Sequence, residues 1–209
     1  MIQKTFPSNP KKQTQEGPIL EHGFELFNQN GVKGFTVETL AKDLAMSKKT
    51  IYKFFPTKEI LLKKVFQYFL NTLAKKLSRV IEEDNNPLDK FIIVMNEIAK
   101  KISQISLARV NDMKARYPAI WKEVEAFRLE RRADFFLIMQ EGQAQGFIRE
   151  ELDLELTATL YMNILNSVFQ PEFFLTNHLN PKAVIEIFRD IFLRGLVTPK
   201  GLKHIEEKI

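Results

Sequence analysis

Between Ala45 and Lys58 the chain carries Lys48, Lys49, Lys53 and Lys58 and no acidic side chain. The chain as a whole is nearly balanced, with 31 basic against 26 acidic residues and a formal charge of +5. Positive charge is therefore concentrated in one short stretch, together with the hydroxyls of Ser47, Thr50 and Tyr52. Such a set suits a nucleic acid, whose phosphates take ammonium groups and whose base edges take hydrogen bonds. No other cluster offers competing chemistry. His22, His178 and His204 are far apart and stand in no H-x-x-x-H or H-E-x-x-H pattern, so no metal is expected. Ser47, Ser78, Ser103, Ser106 and Ser167 lack a nucleophile-elbow context, and Glu82-Glu83 and Glu150-Glu151 read as solvated charge at helix ends. There is no cysteine, hence no thiolate nucleophile, no disulfide framework and no Cys-containing metal site. Neither catalysis nor a cofactor is expected.

The basic stretch needs elements to hold it. Thr36 can accept from the free N–H groups of an opening helical turn, and Val37, Leu40, Ala41 and Leu44 recur at i, i+3, i+4, i+7, the pattern of one apolar face. Ser47 is a second cap. The helix it opens turns Lys48, Lys49, Thr50 and Lys53 to solvent and Ile51 with Phe54 or Phe55 inward. Two helices separated by Ala45-Met46 and a cap cross steeply, which is a helix-turn-helix. An earlier helix is predicted to open at Pro18, to bury Leu20, Phe24 and Phe27, and to stop at Asn30-Gly31. Gly23 inside it implies a close neighbour.

Beyond Pro56 the periodicity predicts further helices over 58–83, 88–105, 107–116, 118–145, 153–169 and 181–194, with Gly146 and Gly195 as stops. The first of these is long enough to bridge two domains. No run of alternating strands, internal repeat or Gly-rich phosphate loop occurs, so the chain is expected to be all-α. Residues 1–16 hold Pro7, Pro10, Lys4, Lys11 and Lys12 among small polar residues, a composition expected to form a disordered basic tail or an arm reaching a minor groove. Met1 to Gly17 lacks the apolar core of a signal peptide, and no apolar run approaches a membrane span, so a cytoplasmic protein without a membrane partner is expected.

Residues 18 to 62 resemble the N-terminal domain of the tetracycline-repressor (TetR) family of bacterial transcription regulators. The resemblance rests on Ile19-Leu20, Leu26-Phe27, Gly31, Thr36-Val37, Leu40-Ala41, Ser47, Ile51-Tyr52, Phe55 and Lys58-Glu59-Ile60-Leu61 in that order and spacing. It implies an N-terminal three-helix helix-turn-helix domain over 17–62, followed over 63–209 by a larger helical effector-binding and dimerisation domain. It also implies that Lys48, Lys49 and Thr50 face base edges while Thr36, Tyr52 and Lys58 hold phosphates; Ser47 and Lys53 complete the candidate DNA contacts. Two positions depart from the family pattern. Ala45 stands where Gly is frequent, and an Ala held there in a left-handed conformation costs about 1–2 kcal/mol. Phe54 replaces a frequent His.

The chain has 18 phenylalanines, most of them beyond residue 60. Phe66, Phe91, Met95, Met113, Trp121, Phe135, Met139, Met162 and Phe169 are expected either to fill a core or to line a cavity, and the resemblance implies a cavity for a small hydrophobic effector. Asn163, Asn166, Ser167 and Gln170 form a polar stripe on an apolar helix, with Asn166 a candidate ligand contact. Residues 184–196 are apolar on two faces, which predicts a second subunit over Val184, Phe188, Ile191 and Phe192. The resemblance pairs that helix with the one over 153–169 as the dimer-forming pair. The expected protein is a homodimeric repressor that binds an approximately palindromic double-stranded operator and is released by its effector. The competing reading is an all-helical carrier or sensor of hydrophobic molecules that no longer reads DNA; salt-dependent duplex binding separates the two.

Overall fold

The computed structural model describes residues 10–207, which form twelve α-helices. Among the described residues the only extended pairing is a single antiparallel bridge between Ile148 and Val197. The all-α expectation is met. The chain divides into two compact units, Met1–Asn71 and Thr72–Ile209.

The first unit contains α1 (Pro10–Gly34), α2 (Val37–Asp43), α3 (Lys48–Phe54) and the first half of α4 (Lys58–Glu82). Of the tail expected over 1–16, residues 1–9 lie outside the described residues, and from Pro10 the backbone is already helical. Pro18 thus sits inside α1, where its missing N–H removes one rung of the helix, instead of opening it. Gly31 breaks α1 as expected: at φ 65°, ψ −172° it takes a conformation open only to glycine, and a last turn follows to Gly34. The core of this unit is built from Ile19, Phe27 and Phe35 of the α1 region, Leu40 of α2, Ile51 of α3 and Leu61, Leu62 and Val65 of α4, with Phe55 beside them. Because α4 supplies so many of these residues, the first half of α4 counts with this unit, which runs to Asn71. A Cβ on Gly23 would lie 2.7 Å from Val65 Cγ2, the close approach its position implies.

The second unit holds the rest of α4 and α5 (Pro87–Ser103), α6 (Leu107–Arg116), α7 (Pro118–Glu130), α8 (Arg132–Ala144), α9 (Leu154–Val168), α10 (Pro171–Thr176), α11 (Pro181–Leu196) and α12 (Pro199–Glu206). Side-chain caps recur here: Asp153 accepts from the Leu156 N–H at 3.0 Å and Asn86 from the Leu88 N–H at 2.9 Å. Two expectations are corrected. The single helix expected over 118–145 is two, broken at Arg131, whose N–H bonds to Arg128 at 3.0 Å while its guanidinium pairs with Asp134 and lies over the Phe127 ring. Gly195 does not stop α11, which runs to Leu196. The chain then bridges to Ile148, and Thr198, accepting from the Gly201 N–H, caps the additional α12. The short α10 opens with Pro171 at its first position.

A ring cluster occupies the centre of the second unit. Phe135 of α8 stacks on Tyr161 of α9 at 4.1 Å, and Phe91 of α5 and Phe192 of α11 meet the same tyrosine at 5.8 and 4.3 Å. Lys90, buried at the edge of this core, is paired with Glu141 of α8 at 2.8 Å.

Candidate nucleic-acid interface

The turn between α2 and α3 sets the interface. The Ala45 N–H bonds to Lys42 O at 3.1 Å and the Met46 N–H to Ala41 O at 2.8 Å, the paired pattern of a Schellman cap. That pattern needs a left-handed residue, and Ala45 supplies it at φ 51°. Ser47 then caps α3 by accepting from the Thr50 N–H at 3.0 Å, and Thr36 caps α2 by accepting from the Thr39 N–H at 3.1 Å.

These caps sort the candidate contacts. Lys48, Lys49, Tyr52 and Lys53 are exposed along α3, while Ile51 is fully buried beneath them. Tyr52 keeps 43% of its surface exposed, a phenol held out into solvent. Thr36 and Thr50 are half-buried, and their hydroxyls are already in contact with those of Thr39 at 2.9 Å and Ser47 at 2.8 Å. Each serves the backbone first and retains only its remaining hydrogen-bonding capacity for a duplex. Lys58 is half-buried, and its ammonium donates to the Val32 carbonyl at 2.7 Å, so it also fastens the start of α4 to the end of α1. Lys48 has an unforeseen neighbour: its Nζ lies 3.0 Å from Glu38 Oε1 at the start of α2. The pair holds the Glu38 carboxyl below the usual carboxylate range and raises the Lys48 ammonium. Glu38 precedes the acid-free stretch, and a search confined to clustered lysines passes over it. Phe54, half-buried, turns its ring towards Phe55 at 6.2 Å.

The candidate effector contacts separate into three groups. Phe66 belongs to the first unit, packing edge-on against Phe27 at 5.0 Å and Phe24 at 5.9 Å, and is corrected from effector contact to core of the DNA-reading unit. Phe91, Met95, Phe135, Met139, Met162 and Phe169 are buried in the core of the second unit. There the Tyr161 hydroxyl donates to Met95 Sδ at 3.2 Å, and burial raises the phenol far above its usual range. Trp121 and Met113 are buried beside a polar group: Trp121 Nε1 donates to Glu125 at 2.9 Å and Gln170 at 3.1 Å, Lys114 donates to Gln170 at 2.7 Å, and Arg128 donates to the Phe169 carbonyl at 2.7 Å. Desolvation lowers the Arg128 guanidinium to about 10. Asn166 Oδ1 faces the interior with no hydrogen-bond partner, whereas Asn163 and Ser167 face out. The polar stripe on α9 thus serves two sides.

Among the expected interface residues, Ile191 is 66% exposed, but Phe188 and Phe192 turn inward onto Tyr161 at 5.3 and 4.3 Å, and Val184 packs on the same core. The helical period explains the correction. Positions 188 and 192 share a face with Ile185, while 187 and 191 lie on a neighbouring face, about 100° round the helix. Ile187, which shares the face of Ile191, is 60% exposed. On α9, Leu156, Leu160 and Ile164 form a matching exposed stripe at i, i+4, i+8.

Comparison with known proteins agrees with this arrangement. Residues 19–65 match the family model of bacterial regulatory proteins of the tetR family. Over 180 residues the chain is 27% identical to the uncharacterised HTH-type transcriptional regulator YvaF of Bacillus subtilis, covering 85% of this chain and 93% of that one. It is 25% identical over 208 residues to the HTH-type transcriptional repressor KstR2 of Mycolicibacterium smegmatis, covering 95% and 97%. A transcriptional regulator from Cytophaga hutchinsonii shares the fold with a TM-score of 0.72 at 17% identity, over 91% of this chain and 100% of that one. The capped, lysine-bearing α3, seated on its own buried Ile51, lies within residues 19–65, and over that stretch the chain is similar to bacterial regulatory proteins of the tetR family and to HTH-type transcriptional regulators.

Proposed function

We propose that the protein is a homodimeric repressor that holds an approximately palindromic operator and releases it when a small hydrophobic effector enters the second unit. The observation that carries the DNA-reading part is the row of exposed side chains on α3, Lys48, Lys49, Tyr52 and Lys53, above a rigidly capped turn. Lys48, Lys49 and Thr50 read base edges in a major groove; Tyr52, Lys53, Lys58, Thr36 and Ser47 position the domain on phosphates. The dimer is supported by two apolar stripes that a monomer leaves in water, Ile187 and Ile191 on α11 and Leu156, Leu160 and Ile164 on α9. The two helices meet through Tyr161, Phe188 and Phe192.

The effector reading is supported by the apolar interior of the second unit and by two polar atoms in it that lack a strong partner, Asn166 Oδ1 and the Tyr161 hydroxyl. A buried acceptor without a donor costs about 1–3 kcal/mol, which a ligand donor would recover. Release requires that the effector favour a conformation poor in DNA binding, and its effect reaches the first unit through α4, which carries the chain from one unit to the other. The relative named a repressor is consistent with this sign of regulation. Selection of duplexes from a random pool, followed by a salt titration, tests the reading: a roughly two-fold symmetric site bound with a steep salt dependence is expected, and salt-independent or absent binding overturns it.

A further inference from the structure

The carboxylate of Glu38 stands at the front of the DNA-reading unit, 62% exposed and 3.0 Å from the ammonium of Lys48. Its position is fixed. Glu38 lies in the first turn of α2, behind the Thr36 cap, and Lys48 is the first residue of α3 after the Ser47 cap. A carboxylate here is a liability for binding any duplex, because it cancels the charge of one lysine and repels the phosphate backbone. It becomes favourable only against a base-edge donor. In the major groove cytosine offers its N4 amino group to an acceptor, and its paired guanine offers O6 and N7 to a lysine. A carboxylate and an ammonium held side by side match that donor and acceptor set.

We propose that Glu38 is a specificity-determining residue, reading one G·C base pair of each half-site jointly with Lys48. The inference rests on the DNA-reading assignment of α3 above and adds to it a residue from α2. Glu38 also suppresses non-specific binding, since away from a G·C pair it holds Lys48 off the phosphates. The other exposed lysines of α3, Lys49 and Lys53, have no such carboxylate partner among the ion pairs of the described residues, so the effect is confined to one base-pair position.

The test uses the full-length protein and the duplex selected from a random pool, with Glu38→Ala, Glu38→Gln, Lys48→Ala and the double Glu38→Ala/Lys48→Ala variant, each checked for unchanged helicity by circular dichroism. Glu38→Ala should bind unrelated duplexes more tightly, steepen the dependence of log K on log salt by about one unit per half-site as Lys48 turns to a phosphate, and lose roughly fivefold or more of the preference at one base pair. Lys48→Ala should lose preference at that same base pair, and the double variant should lose no more than the single ones. Glu38→Gln, which can both donate and accept, should move the preference towards adenine. If Glu38→Ala keeps the wild-type base profile, the proposal is wrong, whether or not the salt slope changes; a changed slope alone makes Glu38 an electrostatic brake and not a reader. Loss of preference at different base pairs in the two single variants also overturns it. Wild-type protein that binds no duplex in a salt-dependent way brings down the DNA-reading assignment itself, a result distinct from the others.

Discussion

At the scale of single residues, the turn before α3 shows a local conflict that the fold overrides. Ala45 sits at φ 51° because two backbone hydrogen bonds close the end of α2 around it. Left-handed backbone costs an alanine about 1–2 kcal/mol, while glycine adds about 0.4–1 kcal/mol of unfolded-chain entropy. Ala45→Gly should therefore raise stability by about 0.5–1 kcal/mol, read as a higher urea midpoint at unchanged slope; a lower midpoint means that the Ala45 methyl is engaged in packing. Lys58 shows how one side chain can hold two tasks. Its ammonium satisfies the Val32 carbonyl and still carries the charge that a phosphate would meet. Lys58→Ala should cost about 1 kcal/mol of stability and, in a dimer, flatten the salt dependence of duplex binding by about two units, one for each half-site. Lys53→Ala, on an exposed residue, should flatten the slope alike without the stability loss. Equal stability of the two variants removes the structural role of Lys58; an unchanged slope in both removes these lysines from the interface.

Elements in this protein are joined by close contacts that single helices do not reveal. Gly23 lets α1 approach Val65 of α4, where a Cβ would stand 2.7 Å from a methyl of a β-branched side chain that has little room to rotate. Gly23→Ala gains about 1 kcal/mol in helix propensity and loses about 1–3 kcal/mol to overpacking, so a net loss of stability is expected by denaturant titration. A more stable variant would show that α1 and α4 separate freely. On α11 the period of the helix divides neighbouring apolar residues between two surfaces. Ile187 and Ile191 are exposed, and Phe188 and Phe192 close on Tyr161. Ile191→Glu should then give a helical monomer by light scattering and circular dichroism, whereas Phe188→Asp should unfold the second unit, because its carboxylate has no partner among the rings. A dimer that survives both Ile187→Glu and Ile191→Glu with full operator affinity excludes α11 from the interface.

For the whole molecule, dimerisation and DNA binding are one prediction. A domain with only a few lysine contacts holds a single half-site weakly, and two-fold symmetry joins two half-sites at a fixed spacing. Monomeric Ile191→Glu should lose operator affinity far more than its unchanged α3 would suggest, by at least a hundredfold in a mobility-shift titration, a factor of about 2.7 kcal/mol. Retained affinity would mean that one unit suffices.

The sequence by itself determined the local features: the all-α class, the caps Thr36 and Ser47, the break at Gly31, and the lysines that α3 leaves in water. Each depends on a residue and its neighbours within one or two turns, and both the hydrogen-bonding chemistry of a cap and the period of a helix are written at that range. Tertiary structure decided what depends on contacts between distant segments. The break at Arg131 has no glycine or proline to announce it and comes with an ion pair and a ring contact. Phe66 was claimed by the first unit because Phe24 and Phe27 of α1 meet it there. The side of α11 that faces solvent followed from where Tyr161 stands on another helix. Glu38 came to rest beside Lys48 because the left-handed Ala45 folds α3 back across the start of α2, a juxtaposition that neither segment encodes alone.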